Sequence, residues 1–125
     1  MSVERRRRLL IVDDSDDLAS ALELSLGDHP AIEVVGRASN AEGLVGLVRS
    51  KGAEVVLLDL TMPGIDPLDA LRELRAAGVP VRVIAFSGRD DGETVAAAER
   101  AGADRFLRKC VDPEAIAAAV RSVVE

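Results

Sequence analysis

The chain has 125 residues, a net charge of −6 and a single cysteine. That length supports one ordinary core and no second domain, and the acidic balance argues against sequence-independent nucleic-acid binding, which needs a basic surface to neutralise phosphates. Lone Cys110 makes neither an internal disulfide nor a zinc site, and no apolar run approaches the ~20 residues of a membrane span, so the expectation is a cytoplasmic protein with no membrane contact.

In chain order, Arg5-Arg6-Arg7-Arg8 is the one basic run, read as a solvated terminus leading into the first strand, with a nucleic-acid or lipid arm as the alternative. Leu9-Leu10-Ile11-Val12 is that strand, and Asp13 and Asp14 end it. Leu18, Leu22 and Leu26 recur at helical spacing, and the helix closes over Gly27 to Pro30. His29 in that closing segment reads as a surface loop residue rather than a phosphohistidine. Ile32-Glu33-Val34-Val35-Gly36-Arg37 has the mixed polarity of an edge strand, and Leu44, Leu47 and Val48 mark a second helix stopped by Lys51-Gly52.

Glu54-Val55-Val56-Leu57-Leu58-Asp59 follows, a strand apolar on both faces with a carboxylate at its carboxyl end. Met62-Pro63-Gly64 prevents the strand from continuing, since Pro63 disfavours helix at Met62 and Gly64 can take a positive φ. A third helix carries Leu68, Leu71 and Leu74 as far as Gly78, and a fourth strand covers residues 81–86 before Ser87-Gly88. The alanine-rich helix over residues 91–101 ends at Gly102, and residues 104–109 form a fifth, edge strand with Lys109 at its end. Asp112 is placed as the N-cap and Pro113 as the first residue of a last helix whose apolar face is Ile116, Val120, Val123 and Val124.

Five strands alternating with five helices across short connections predict a parallel sheet covered on both sides. The first and third strands are the most apolar and should be central, as in the order 2-1-3-4-5, with the topological switch point between them. Asp13, Asp14 and Asp59 then emerge at one crevice, where their mutual repulsion calls for a cation, and oxygen ligands open to solvent favour magnesium. Alone, Asp59 could merely cap the following loop, Ser87 could be a turn serine and Lys109 a surface lysine. Taken together, four strand ends deliver acid, acid, hydroxyl and ammonium to one sheet edge, a set suited to phosphoryl transfer. The acidic loop after the first strand lacks the glycines of a dinucleotide site and the Gly-Lys-Ser/Thr of a P-loop.

These residues carry a resemblance. Ile11-Val12-Asp13-Asp14, Leu58-Asp59-Leu60-Thr61-Met62-Pro63-Gly64, Ala85-Phe86-Ser87-Gly88, and Ala101-Gly102-Ala103-Asp104 leading through Phe106-Leu107 to Lys109 resemble the receiver domain of bacterial two-component response regulators, over essentially the whole chain. The resemblance implies a flavodoxin-like doubly wound (βα)5 fold, with residues 1–125 as a single receiver domain. It implies that Asp59 accepts a phosphoryl group from a sensor histidine kinase, with Mg2+ held by Asp14, by Asp13 through water, by Asp59 and by the backbone carbonyl of Thr61. Lys109 would neutralise the acyl phosphate, and Ser87 and Phe106 would be the switch pair. Phe106 also reads as a core residue on an edge strand, which is compatible with that role.

Such a protein is a signalling switch that catalyses its own phosphoryl transfer and autodephosphorylation, not an enzyme with a separate substrate. Residues 34–40 resemble the subgroup with helix-turn-helix outputs, and activation is expected to form a homodimer through the fourth helix, fifth strand and fifth helix. Pro67 and Cys110 depart from the family's common residues, and Arg105 replaces an acidic residue that another subgroup uses in dimer contacts. Thr61 and Arg89, two residues beyond Asp59 and Ser87, should tune the phosphoryl lifetime. Two other readings compete: a constitutive interaction module with an unphosphorylated receiver fold, and a hydrolase with an aspartyl-phosphate intermediate. The intact Asp14, Asp59 and Lys109 weigh against the first, and the absence of Asp-x-Asp and of a cap insertion against the second.

Overall fold

Every residue of β3 (Val55–Asp59) is buried, and the other strands are laid out around it. The computed structural model describes residues 5–89, 91–110 and 112–124. β1 (Arg7–Val12) and β4 (Arg82–Ser87) flank β3, while β2 (Ile32–Ala38) and β5 (Arg105–Arg108) form the edges, giving the order β2-β1-β3-β4-β5 with all pairings parallel. The expected order and the central positions of the first and third strands are observed. Hydrophobic content decides this, because a strand bounded by two neighbours and two helical layers meets no water.

Side-chain alternation separates the core into two layers. Leu9, Ile11, Val55, Leu57, Ile84 and Phe86 face α1 (Asp16–Leu26) and α5 (Pro113–Val124), where Leu22, Leu26, Ile116 and Val120 complete one cluster. Leu10, Val12, Val56, Leu58 and Val83 face the other way, toward α2 (Leu44–Lys51), α3 (Pro67–Ala76) and α4 (Gly92–Ala101), with Leu44, Val48, Leu71 and Leu74 in that cluster. Each fully buried leucine contributes about 2 kcal/mol of apolar transfer.

Local signals set the helix boundaries. The side chains of Ser15, Asp66 and Asp91 accept hydrogen bonds from the first-turn amides of Leu18, Leu68 and Thr94, and Pro67 opens α3. Asp112 accepts likewise from the Glu114 amide at the start of α5. Gly52 and Gly102 end α2 and α4 with φ of 61° and 110°.

Two expectations require correction. His29 is buried, not a surface loop residue: Nδ1 accepts from the Ala31 amide at 3.1 Å and Nε2 meets Glu114 Oε1 at 3.1 Å, tying the α1–β2 loop to α5. The basic run is not simply a solvated terminus either. Arg7 and Arg8 are the first residues of β1, and Arg5, Arg7 and Arg8 converge on Glu54, with Arg5 forming two hydrogen bonds of 2.7 and 2.8 Å. β1 therefore starts earlier than its apolar stretch, because Glu54, just ahead of neighbouring β3, supplies a counter-ion.

Candidate functional site at the carboxyl edge of the sheet

Strand register brings the candidate residues level. Val12 pairs with Leu58 and Asp59 with Phe86, so Asp13, Asp59 and Ser87 leave three adjacent strands at nearly one height. Backbone hydrogen bonds beyond the strand ends hold this alignment: Asp13 N–H to the Ala38 carbonyl, Leu60 N–H to that of Phe86, and Lys109 N–H to that of Ser87 at 2.8 Å. Lys109 thus sits immediately past β5, next to the end of β4.

The same two-residue turn anchors three of these side chains. Asp13 Oδ1 accepts from the Ser15 amide at 2.9 Å, Asp59 Oδ1 from the Thr61 amide at 2.9 Å, and Ser87 Oγ from the Arg89 amide at 3.0 Å. Each carboxylate keeps its second oxygen for the crevice, and Ser87 keeps its O–H to donate. The amides of Ser15, Thr61 and Arg89 were not singled out as anchors by sequence reasoning, although an aspartate or serine followed by a turn carries that signal.

Asp13, Asp59 and Ser87 are all buried, whereas Asp14 is exposed at the rim. One carboxylate oxygen from each of Asp13, Asp14 and Asp59 lies within 4.8 Å of the others. Lys109 Nζ stands 3.3 Å from Asp13 Oδ2 and 3.2 Å from Asp59 Oδ2, and 6.0 Å from the centroid of the Phe86 ring. Neither Oδ2 accepts a well-aligned hydrogen bond, although both are buried. One ammonium therefore faces two of the three clustered carboxylates, each of the two with an inward oxygen that accepts no well-aligned hydrogen bond. A divalent cation with hard oxygen ligands fits that donor set.

Burial pushes the Asp59 carboxyl up to about 6; the Thr61 amide and Lys109 oppose the rise, and Asp13 adds to it. Desolvation depresses the Lys109 ammonium, but Asp59 and Asp13 outweigh it and hold its pKa above the usual value. Beside the cluster, an open cleft of about 600 Å³ is lined by Asp14, Thr61, Met62 and Gly64, with Gly64 at φ 88°. Phe106 is half-buried on edge strand β5 and belongs to neither core cluster, whereas Leu107 packs on the core beside Cys110.

The arrangement defines a doubly wound α/β protein whose acidic, cation-compatible crevice lies at the topological switch point between β1 and β3. The family described as "Response regulator receiver domain" matches residues 9–121. The chain belongs to this family, the receivers of two-component response regulators. It is 36% identical over 114 residues to the nitrate/nitrite response regulator protein NarL of Escherichia coli, covering 91% of this chain and 53% of that protein. The signal receiver domain of the response regulator NarL from Mycobacterium tuberculosis superposes with a TM-score of 0.87 at 28% identity, covering 94% of this chain and 95% of that one. The CheX–CheY–BeF3–Mg2+ complex from Borrelia burgdorferi gives 0.84 at 26% identity, covering 95% and 90%. The chain thus spans about half the length of the NarL protein it matches. Among the described residues, no helix is long and apolar enough to cross a membrane.

Proposed function

We propose that residues 1–125 form a single receiver domain in which Asp59 is the phosphoacceptor. The observation that carries this reading is the buried Asp59 carboxylate, anchored through Oδ1 and directing Oδ2 toward Lys109 within a cluster of three acids. An Asp59 oxygen attacks the phosphorus of a kinase phosphohistidine, the O–P bond forms as the N–P bond breaks, and the imidazole leaves with the electron pair of that bond. Asp13, Asp14, Asp59 and the Thr61 carbonyl would hold Mg2+, which supplies positive charge to the phosphoryl oxygens when bound. Lys109, already at ion-pair distance from Asp59, neutralises the acyl phosphate. Ser87, whose Oγ accepts from the Arg89 amide in this arrangement, swings to donate its hydroxyl hydrogen bond to a phosphoryl oxygen, and Phe106 follows as the second half of a two-state element. The BeF3 and Mg2+ in the similar CheX–CheY complex support this reading.

The partner is a sensor histidine kinase, and the domain acts as a cytoplasmic signalling switch without contacting nucleic acid itself. The similarity to NarL and the resemblance of residues 34–40 support a helix-turn-helix output carried by a longer protein or a partner. Activation forms a homodimer through α4, β5 and α5. Arg105 bonds Ser122 on α5, so that contact would differ from the acidic one in other subgroups.

Incubation with acetyl phosphate or phosphoramidate plus magnesium, followed by intact mass, tests the assignment. One phosphoryl adduct is expected in the native chain and none in Asp59→Asn; an adduct persisting in the variant overturns it. Sedimentation with and without beryllium fluoride tests dimerisation, and an unchanged monomer mass counts against it.

A further inference from the structure

The opposite end of the strands carries a second surface. In a parallel doubly wound domain every helix starts at the carboxyl edge and ends at the amino edge, and helix dipoles favour acids in first turns and bases in last turns. This chain follows the rule: Asp16, Asp17, Asp69, Glu93 and Glu114 lie in first turns, and Arg49, Lys51, Arg75, Arg100 and Arg121 in last turns. Charge is therefore segregated along the strands, acidic around Asp59 and basic at the far edge, despite the net charge of −6.

Helix dipoles do not account for the rest. The arginines at the start of β1 add to this edge, where a groove of about 450 Å³ is lined by Arg7, Arg8, Arg49 and Arg82 together with Val48, Val79 and Val81. Its one acid, Glu54, is already held by Arg5, Arg7 and Arg8, and its carboxyl is lowered to about 2. Arg82 pairs with Asp104 at 3.6 Å, whereas Arg49 is exposed and, among the described residues, has no ion-pair partner. The groove thus combines one free guanidinium, Arg49, and the excess positive charge of three arginines on a single carboxylate with an apolar lining.

We propose that this groove docks a carboxylate-bearing peptide segment of a partner protein that also carries an aliphatic or aromatic side chain. Guanidinium forks suit carboxylates, and the apolar lining accepts the apolar side chain. A polynucleotide fits less well, because it would extend from the groove past the acidic remainder of the surface. The site is at the other end of the sheet from Asp59 and does not depend on the phosphoacceptor assignment.

Amide NMR titration of the native chain with a synthetic Glu-Leu-Glu-Phe repeat peptide tests the proposal. Shifts are expected at the amides of Arg7, Arg8, Arg49, Gly52, Glu54, Val79, Val81 and Arg82, with affinity falling as salt is raised. Arg49→Glu should weaken binding by about tenfold or more, whereas Arg100→Glu, an equal charge change on an exposed helix end outside the groove, should leave it nearly unchanged. Shifts centred on Asp59, equal losses in both variants, or no binding at low salt overturn the proposal. Polyglutamate binding as tightly as the mixed peptide removes the role of the apolar lining, and a single-stranded oligonucleotide binding more tightly than the peptide overturns the partner class.

Discussion

Lys109 Nζ lies 3.2 Å from Asp59 Oδ2, an ion pair formed between residues at the ends of non-adjacent strands, with β4 between them. Burial raises the Asp59 carboxyl to about 6 even though the ammonium holds it down. In metal-free protein, Lys109→Ala should therefore move the Asp59 titration to higher pH, followed by the 13C shift of its carboxyl carbon. On the proposed mechanism the same variant should slow phosphoryl uptake from phosphoramidate on the order of a hundredfold, in the range seen when a charge-stabilising donor is removed. An unmoved Asp59 titration would show that the ion pair contributes nothing in solution.

Glu54 gives a prediction on the acid side. The Arg5 hydrogen bonds, with the Arg8 amide and Arg7, lower its carboxyl from 4.5 to about 2, against the opposing effect of burial. A carboxyl depressed in the folded state stabilises the protein fully above its unfolded pKa and loses that contribution as pH falls toward the folded value. After discounting for the exposed Arg5, Glu54→Gln should cost about 1–2 kcal/mol at neutral pH. The gap between native and variant in urea unfolding should close as pH drops from about 4.5 toward 2. A gap independent of pH would assign the loss to packing instead.

The two partners of the His29–Glu114 contact are unequally buried, with side chains 7% and 74% exposed. His29→Ala leaves the Ala31 amide without its acceptor and should cost about 1–3 kcal/mol, whereas Glu114→Gln, at a wet position, should cost under about 1 kcal/mol. Chemical denaturation of the two variants checks the order, and equal losses would mean that the His29–Glu114 hydrogen bond, not the buried amide, carries the energy.

Two glycines should respond oppositely to alanine. Gly102 has φ 110°, and a Cβ there would stand 2.8 Å from Cγ of Arg75, whose guanidinium also binds the Gly102 carbonyl and Asp104. Gly102→Ala should destabilise by on the order of 1–3 kcal/mol. Gly46, inside α2 with nothing within 4 Å of its would-be Cβ, should tolerate alanine with a gain of about 0.5–1 kcal/mol. Thermal melts of both variants, read against the native chain, decide the signs.

The sequence by itself determined the alternation of strands and helices, the central place of the two most apolar strands, and the carboxylates, hydroxyl and ammonium at their ends. These follow from short-range periodicity, from capping residues, and from the rule that a strand without polar residues cannot border water. Only the tertiary structure decided that Lys109 reaches both Asp13 and Asp59, that Arg5, Arg7 and Arg8 gather on Glu54, and that His29 is buried against Glu114. Those pairs are separated by tens of residues along the chain, so no local spacing announces them. Their distances are set by strand register and helix docking, through which the whole core fixes where each polar end lies.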